Sequence, residues 1–312
     1  MGRDWTRVLL GGALLVGLVG PAFGQPIAGV CEDCAVELFA SCGEGNFLEG
    51  PNFDAQGTLW VVGLNSGEVL NVDAEGTCTV AGRSGGFPGG ARLDAQGKLI
   101  ITDRIGLLSY DTATNQVETL ASRYGNENMR GLNDSVIDSK GGIYFTEPYG
   151  SSAINKTGRV FYMAPDRQSI RLIGDTFAFP NGVMLSPDEA SLYVAEYAEN
   201  RILSLPLTPA GGELRPNGTP YVFAYMESGI GPDGMVVDTK GNLYVAHFRA
   251  AQVVIYTPGG KELGTIAMPE DAGVGTTNLA LHDGYLYITE ALRNQIWRVA
   301  VETQAHDVFQ TK

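Results

Sequence analysis

Positive charge and histidine are scarce in this sequence. Its 312 residues include 21 Lys and Arg against 35 Asp and Glu, which gives a formal net charge of -14, and only three His. Nucleic-acid binding needs clustered Lys and Arg to meet the phosphates, and the chain has no run of them, so that class of partner is excluded. A hydrophobic content of 44% excludes a disordered chain.

The signatures of several enzyme classes are also missing. The sequence has no Gly-x-Ser-x-Gly nucleophile elbow between a strand and a helix. With only three His in the chain, a Ser-His-Asp triad is also disfavoured. No Rossmann fingerprint or P-loop follows a strand–helix unit, so nucleotide chemistry is not indicated. No window carries apolar residues at helical spacing over a useful length, which points to an all-β chain.

Residues 1–24 have the pattern of a cleaved signal peptide. Arg3 and Arg7 flank the start of an apolar stretch over residues 8–19, and residues 22–24 place small side chains at the cleavage position. An uncleaved membrane anchor is the alternative. Nothing later in the chain is apolar enough to span a bilayer, so we expect a periplasmic or secreted protein without membrane contact after cleavage.

A repeat dominates the rest of the chain. Six segments share an apolar anchor residue, a turn with Asp and Gly, and an alternating apolar strand; they begin at Phe53, Leu93, Ile137, Leu185, Val237 and Leu281. A period of about 40–50 residues with four strands per unit is typical of a propeller blade. We therefore predict a six-bladed β-propeller over residues 46–312, preceded by a cysteine-containing segment over residues 25–45. The period disfavours a β-sandwich.

Four cysteines lie in or near that segment: Cys31, Cys34, Cys42 and Cys78. In an oxidising compartment they predict two disulfides that hold the segment against the first blade, with three pairings open. A zinc site or a redox Cys-x-x-Cys at 31–34 is the alternative, but the spacing lacks a second close pair and no βα unit follows.

The repeat also locates a site. Four residues before each anchor, near the axis at the upper end of the innermost strand, stand Glu49, Gly89, Asn133, Asn181, Asp233 and Thr277. Two carboxylates and two amides in one register favour a cation with oxygen ligands, Ca²⁺ first, with Mg²⁺, Mn²⁺ or Zn²⁺ as other divalent ions. None of the six is His or Cys, which disfavours zinc. Turn capping by Asn and Asp is the structural alternative.

A second register returns to the same upper face about ten residues after each anchor. It contains Gly63, Asp103, Glu147, Glu196, His247 and Glu290. We expect these side chains to line a polar, partly acidic pocket with aromatic walls, with Glu147 and His247 as substrate contacts. His is the usual proton carrier near neutral pH.

Several blocks carry a specific resemblance. EGPNFDAQGTLWV, NDSVIDSKGGIYFTEP, FPNGVMLSPDEASLYVAE and GPDGMVVDTKGNLYVAHF resemble the senescence marker protein (regucalcin)/gluconolactonase family. The third and fourth units also resemble the staphylococcal drug-responsive lactonase of that superfamily. The resemblance implies a six-bladed propeller with a central divalent cation, usually Ca²⁺, and hydrolysis of lactones.

The resemblance also implies residue roles. Glu49, Asn181 and Asp233 match the metal ligands of the family, and Asp233 also matches the residue that transfers the proton. Asn133 matches a fourth polar position that touches metal or substrate; we expect Asn133 and the nearby Arg130 to contact the substrate. Two departures concern the sugar-lactone members: Arg130 precedes Asn133 by three residues rather than two, and the last block reads LALHDG without the usual Gly-Gly. The departures weaken the expectation of an aldonolactone substrate more than that of lactone hydrolysis.

The function indicated is a monomeric, calcium-dependent enzyme that opens a small-molecule lactone or ester. Asp233 would act as base, acid or nucleophile, roles that the sequence does not separate. Three alternatives remain: organophosphate or aryl-ester hydrolysis at the same site, a strictosidine synthase-like condensing enzyme that shares the PNGV-x-LSPDE block, and a non-catalytic binding propeller.

Overall fold

A computed structural model describes residues 24–306, and the predicted leader therefore lies outside the described residues except for Gly24. The chain forms six four-stranded antiparallel sheets, which confirms the predicted six-bladed propeller. Within residues 24–306 the single helical element is the 3-10 turn Tyr197–Glu199, and no helix is long or apolar enough to cross a membrane.

The strands follow the chain from blade to blade. The first strand is β1 (Val36–Ser41). Blade 1 contains β2 (Leu48–Phe53), β3 (Leu59–Gly63), β4 (Glu68–Val72) and β5 (Cys78–Arg83). Blade 2 contains β6 (Pro88–Leu93), β7 (Lys98–Asp103), β8 (Gly106–Asp111) and β9 (Val117–Ala121). A short hairpin, β10 (Arg123–Tyr124) and β11 (Glu127–Asn128), leads to blade 3.

The remaining blades repeat this order. Blade 3 contains β12 (Ser135–Ile137), β13 (Ile143–Glu147), β14 (Gly158–Met163) and β15 (Ile170–Phe177). Blade 4 contains β16 (Pro180–Leu185), β17 (Ser191–Glu196), β18 (Arg201–Pro206) and β19 (Tyr221–Tyr225). Blade 5 contains β20 (Gly231–Val237), β21 (Leu243–Phe248), β22 (Gln252–Tyr256) and β23 (Glu262–Ala267). Blade 6 contains β24 (Thr276–His282), β25 (Tyr285–Glu290) and β26 (Gln295–Ala300).

Blade 6 is completed by the start of the chain. Strand β1 pairs antiparallel with β26, from Val36 opposite Val299 to Ser41 opposite Gln295. The predicted boundary at residue 46 therefore differs from the structure, because part of the segment 25–45 belongs to the propeller. A disulfide between Cys42 and Cys78 then joins the end of β1 to β5 in blade 1.

The second disulfide is local and links Cys31 to Cys34. All four cysteines are thus oxidised in pairs, as the cysteine pattern predicted, and no cysteine of the chain is free. Of the two bonds, the one between Cys42 and Cys78 holds the N-terminal segment on the first blade.

The Asp of the repeat forms the lower turn of the blade. Asp54 Oδ1 accepts hydrogen bonds from the backbone N–H groups of Gln56 and Thr58, both at 2.9 Å. Asp94 and Asp238 repeat this arrangement in blades 2 and 5. The Gly that follows adopts positive φ, +82° at Gly57, which only glycine adopts without strain. The lower turns are therefore structural, and the strands between them run to the upper end.

Apolar faces of adjacent blades pack against each other. In the largest cluster, Val183 and Leu192 of blade 4 pack with Met235, Leu243 and Val245 of blade 5, and all five side chains are buried. A four-stranded sheet cannot bury both of its faces alone, so the ring of six blades provides the core. The innermost strands β2, β6, β12, β16, β20 and β24 then surround the axis.

Candidate active site

Three polar side chains from three innermost strands are buried at the upper end of the axis. Glu49 belongs to β2, Asn181 to β16 and Asp233 to β20, each near the start of its strand. Strands β16 and β20 lie so close that a Cβ on Gly182 would overlap the backbone carbonyl oxygen of Asp233. The structure therefore brings together the two carboxylates and one amide that the repeat register selected.

Two further polar residues join this group, and the register missed both. Asp134 of blade 3 and Asn278 of blade 6 are buried, and each stands one residue after the register position of its strand. The negative charge of Asp134 acts on Glu49 and Asp233, and Asn278 donates a hydrogen bond to Glu49. We call Glu49, Asp134, Asn181, Asp233 and Asn278 the axial cluster.

Asp134 and Asn278 are held in the same way in blades 3 and 6. Asp134 Oδ1 accepts the backbone N–H of Ser135 at 2.8 Å, and Asn278 Oδ1 accepts that of Leu279 at 2.9 Å. The sequence held a signal for them: at this second position the other four blades carry glycine, namely Gly50, Gly90, Gly182 and Gly234. A polar side chain among glycines indicates a filled position beside the axis.

Burial without a counter-charge perturbs both register carboxylates. The pKa of Glu49 is raised well above its usual range, first by burial and then by the charges of Asp233 and Asp134, against hydrogen bonds from Asn278 and the Gly50 backbone. Burial and Asp134 likewise raise the pKa of Asp233, against hydrogen bonds from Asn181 and the Gly234 backbone. Clustered buried carboxylates of this kind favour either protonation or a bound cation.

The side-chain oxygen of Asn181 is available to bind a cation. Its Oδ1 atom is fully buried and has no hydrogen-bond partner in the part of the chain that the structure describes. No group of three or more His, Cys, Asp or Glu side chains is placed to hold a metal ion within residues 24–306. A cation at the axis would therefore combine the Glu49 and Asp233 carboxylates with the amide oxygen of Asn181, an oxygen donor set that suits Ca²⁺.

Arg92 lies below the axial cluster. Its Nη2 is 3.8 Å from Asp134 Oδ2, and its Nε donates to the carbonyl of Ser135 at 2.9 Å. Burial raises the pKa of Asp134, and the Arg92 charge opposes that rise without cancelling it. On its other side it lines a cavity of about 110 Å³ at the lower end of the axis, whose walls include Leu93, Ile137, Leu185, Val236 and Leu281. This lower cavity is mainly apolar and is separate from the cluster.

The second register has a structural place. Asp103, Glu147, Glu196, His247 and Glu290 are all buried rather than lining the mouth as the sequence predicted. Each of the four carboxylates accepts a backbone N–H from the loop that enters the innermost strand of its own blade, at 2.6–2.8 Å; the donors are Phe87, Arg130, Ala178 and Gly275. These loops need buried acceptors, and the carboxylates provide them.

His247 replaces a carboxylate in blade 5, and both of its ring nitrogens are engaged. Gln252 Nε2 donates to Nδ1 at 3.2 Å, so Nε2 carries the proton and donates to Asn200 Oδ1 at 3.0 Å. Burial lowers the pKa of His247 to about 4. Asn200 follows the 3-10 turn that contains Tyr197, so His247 fixes that turn.

Arg130 and Asn133 lead into β12 at the upper end. Glu147 Oε2 accepts from Arg130 Nε at 3.1 Å, and the carbonyl of Thr157 accepts from Arg130 Nη2 at 2.9 Å, which leaves the Arg130 side chain 36% exposed. Asn133 is half-buried, and its side-chain amide forms no hydrogen bond within residues 24–306. Of the four predicted substrate contacts, these two keep polar atoms available.

An aromatic wall stands beside the cluster. Phe179 packs on Tyr197 with ring centroids 5.3 Å apart, Tyr197 lies 6.3 Å from Phe248, and Phe248 lies 6.2 Å from Phe47. All four rings are half-buried. The pKa of Tyr197 rises to about 12, first through burial and then through the charge of Asp233, against Arg249. The wall therefore reaches the axial cluster.

Comparison with known proteins identifies similar chains and folds. The profile of the SMP-30/gluconolactonase/LRE-like region matches residues 47–292. Lactonase drp35 of Staphylococcus saprophyticus is 33% identical over 260 residues, which cover 80% of this chain and 77% of the relative. A gluconolactonase from Xanthomonas campestris superposes with a TM-score of 0.75 at 25% identity, covering 90% of this chain and 91% of the other.

A fourth comparison bears on the fold. Regucalcin from Agrobacterium tumefaciens, described as a calcium-binding protein, has a TM-score of 0.72 at 22% identity and covers 85% of this chain and 95% of its own. With the profile match across most of the chain and a relative above 30% identity, the chain belongs to the SMP-30/gluconolactonase/LRE-like family of β-propellers.

Proposed function

We propose that this protein hydrolyses a lactone at the axial cluster with a divalent cation, Ca²⁺ in the first place. One observation carries the proposal: Asn181 Oδ1 is buried without a partner beside two carboxylates whose pKa values burial has raised. Such a set is costly to keep buried and charged unless a cation compensates it. The lactonase relatives support hydrolysis as the reaction.

Glu49, Asn181 and Asp233 would hold the cation. Two formal negative charges and an amide oxygen suit a hard cation, and the absence of His and Cys from the axial cluster disfavours Zn²⁺ against Ca²⁺, Mg²⁺ or Mn²⁺. A bound cation would polarise the lactone carbonyl and stabilise the negative charge that develops on its oxygen.

Asp233 is the residue that we propose for proton transfer or attack. Its charge also contributes, after burial, to raising the pKa of the Tyr197 phenol, and the strand that carries it, β20, lies against the Tyr197 backbone at Gly231. As a base it would take a proton from water as the water attacks the lactone carbonyl carbon, and it would return a proton to the ring oxygen as the bond between that oxygen and the acyl carbon breaks. As a nucleophile it would attack that carbon itself, the ring oxygen would leave as a hydroxyl group after taking up a proton, and water would then hydrolyse the acyl–Asp233 ester.

Asn133 and Arg130 are the proposed substrate contacts. The free amide of Asn133 can donate to a lactone oxygen, and the guanidinium of Arg130 can accompany it at the mouth. Glu147 positions Arg130 through two hydrogen bonds, and His247 positions the Tyr197 turn through Asn200. We therefore place Glu147 and His247 behind the contact residues.

The aromatic wall favours an apolar lactone over an aldonolactone. Phe47, Phe179 and Phe248 offer ring surface where the hydroxyl groups of an aldonolactone would need hydrogen-bond partners. This agrees with the departures around Arg130 and the last block of the sequence. We expect an aliphatic lactone of the same ring size to be the better substrate by kcat/KM.

Calcium titration tests the cation separately from catalysis. Protein freed of metal by a chelator should bind Ca²⁺ in calorimetry. Its free energy of unfolding should rise by about 2.7 kcal/mol when the free Ca²⁺ concentration is about a hundred times the dissociation constant. Glu49→Gln should weaken that binding, because it removes one of the two charges. An unchanged melting temperature after chelation of calcium-saturated protein would count against the axial cation.

Asp233→Asn tests the reaction. The variant keeps an oxygen ligand and the side-chain size but removes the charge and the proton acceptor, so turnover should stay about 10²–10⁴-fold low even at saturating Ca²⁺. Glu49→Gln is the control, because excess Ca²⁺ should restore most of its turnover. Full activity of saturated Asp233→Asn on the lactone panel would remove Asp233 from the chemistry.

The panel also separates the competing functions. It should include an aldonolactone, an aliphatic lactone, an aryl ester and an organophosphate triester, each assayed with and without chelator. Turnover of the triester above the lactones would favour the phosphotriesterase alternative. Calcium binding without any turnover would favour a non-catalytic binding propeller. Condensation of an amine with an aldehyde would favour a strictosidine synthase-like enzyme.

Export is part of the proposal. The two disulfides support an oxidising compartment, periplasmic or extracellular. The intact mass of the exported protein should correspond to a chain that starts near Gln25. A mature protein that still carries residues 1–24 would refute the cleaved leader.

A further inference from the structure

Exposed large apolar side chains are unevenly distributed over the propeller. Thirteen occur in the described part of the chain, and six of them lie on outermost strands. The other seven lie on loops at the upper end of the blades, around the mouth of the axial cluster: Phe87, Ile105, Tyr149, Ile154, Ile230, Val274 and Leu292. Within residues 24–306, the lower turns between strands carry none.

Four of the seven lie on neighbouring upper loops of blades 2 and 3. Phe87 is 45% exposed, Ile105 49%, Tyr149 58% and Ile154 99%. The Arg104 guanidinium carbon lies 4.7 Å from the ring centroid of Phe87 and 5.8 Å from that of Tyr149, so it bridges the two rings. We call Phe87, Ile105, Tyr149 and Ile154 the apolar corner.

The corner carries one exposed cation without an acidic partner in the described part of this negatively charged protein, while the nearby Asp103 carboxylate is buried beneath it. Its loops, residues 84–87, 104–105 and 148–157, contain Arg104 and Lys156 and no Asp or Glu. Lys156 pairs with Glu199 at 2.7 Å, whereas Arg104 has no acidic partner within residues 24–306. The formal charge of the whole chain is -14. An exposed guanidinium that lies against the Phe87 and Tyr149 rings and has no acidic partner among the described residues favours an anionic group at the corner.

We propose that the apolar corner docks the mouth of the propeller on a lipid surface that contains anionic headgroups, which departs from the sequence-based expectation of no membrane contact after leader cleavage. Ile154 is almost fully exposed and so contacts little of its own protein, which suits insertion between lipids better than a fit into a protein groove. Phe87, Tyr149 and the Arg104 that bridges them have the mixed apolar and polar character that the headgroup region accommodates. Docking would hold the mouth of the axial cluster against the lipid bilayer, in which an apolar ester or lactone dissolves.

Flotation with phospholipid vesicles tests this directly, and it does not depend on enzymatic activity. The full chain without its leader should float with mixed phosphatidylcholine and phosphatidylglycerol vesicles. Ile154→Ser should weaken the binding severalfold, and the combination of Phe87→Ser, Ile105→Ser, Tyr149→Ser and Ile154→Ser should weaken it at least about tenfold. The matched control changes two side chains of similar exposure on outer strands, Val80→Ser and Tyr221→Ser, and should bind normally.

Charge gives a second arm. Arg104→Glu should reduce binding to the phosphatidylglycerol vesicles and leave the weaker binding to pure phosphatidylcholine unchanged. Raising the salt from about 0.1 M to about 1 M should have the same effect, because the Debye length falls from about 10 Å to about 3 Å. Unchanged melting temperatures would show that the variants fold, which their exposure leads us to expect.

Three results would overturn the proposal. The native protein could fail to float, or the outer-strand control could lose as much binding as the corner variants. Light scattering could also show that the native protein is a dimer and the four-residue variant a monomer, which would make the corner an interface between two copies of the chain.

Discussion

The disulfide between Cys42 and Cys78 should contribute far more stability than the one between Cys31 and Cys34. Cys42 follows β1, the outer strand of blade 6, and Cys78 begins β5, the outer strand of blade 1, so this bond crosses the seam at which the ring closes. The perturbation is the double variant Cys42→Ala/Cys78→Ala. The double variant Cys31→Ala/Cys34→Ala is its matched control.

The expected magnitudes follow from the loops that the two bonds close. The sequence separations are 36 and 3 residues. Loop closure in the unfolded chain then gives about 3.8 kcal/mol for the bond at the seam and about 1.6 kcal/mol for the local bond at 25 °C. For a domain of this size the larger loss lowers the melting temperature by on the order of 10 °C.

Urea unfolding followed by circular dichroism measures both losses on the same scale. Of the two variants, the seam variant should have the lower midpoint, and unmodified protein treated with reductant, which loses both bonds, should unfold at or below that midpoint. Equal losses for the two variants, or a larger loss for the control, would refute the reasoning from loop length. A changed slope with urea would instead indicate an altered unfolded state.

Three further predictions concern single side chains. His247 is held neutral with a pKa of about 4, so the unfolded chain binds more protons below about pH 6.5, and stability should fall by roughly 3 kcal/mol between pH 6.5 and 4; His247→Gln should flatten that part of the urea-measured profile. Asn133→Ala should leave the melting temperature unchanged and lower kcat/KM about tenfold or more, because the amide has no partner within the protein; unchanged kinetics would exclude it as a contact. Gly182→Ala should cost about 2 kcal/mol of stability and weaken calcium binding, because its Cβ would overlap the Asp233 carbonyl; normal calcium affinity would contradict the close packing.

The repeat made the fold predictable from the sequence. Each anchor residue lies at or next to the end of an innermost strand. In blades 1, 2 and 5 the next residue is an Asp that accepts backbone N–H groups in the turn, so local chemistry and blade architecture coincide at Asp54, Asp94 and Asp238. The strand β1 was not predicted, because its partner β26 lies at the other end of the chain and no local pattern records such a pairing.

The sequence predicted only those site residues that stand a fixed number of positions before the anchor residues. Counting from the anchors found Glu49, Asn181 and Asp233, but Asp134 and Asn278 stand one residue later. Asn278 lies in a bulge of β24 between Thr276 and Leu279, and Asp134 lies immediately before β12, so a fixed count from the anchor misses both. Glu147 and His247 lie at the upper end of the second strand of their blades, as the repeat predicted, but their side chains are buried and do not line the mouth. Sequence alone does not tell whether such a residue contacts substrate or accepts a hydrogen bond from a neighbouring loop.

The pairing of β1 with β26 also has a kinetic consequence. The partners are about as distant in sequence as the chain allows, from Val36 opposite Val299 to Ser41 opposite Gln295, and non-local pairing of this kind slows folding. Until the last strand is available, β1 and β25 both present unpaired edges that invite association with other chains. Blade 6 should therefore be the last unit to form, and a chain that ends before Gln295 should aggregate rather than fold as a five-bladed ring.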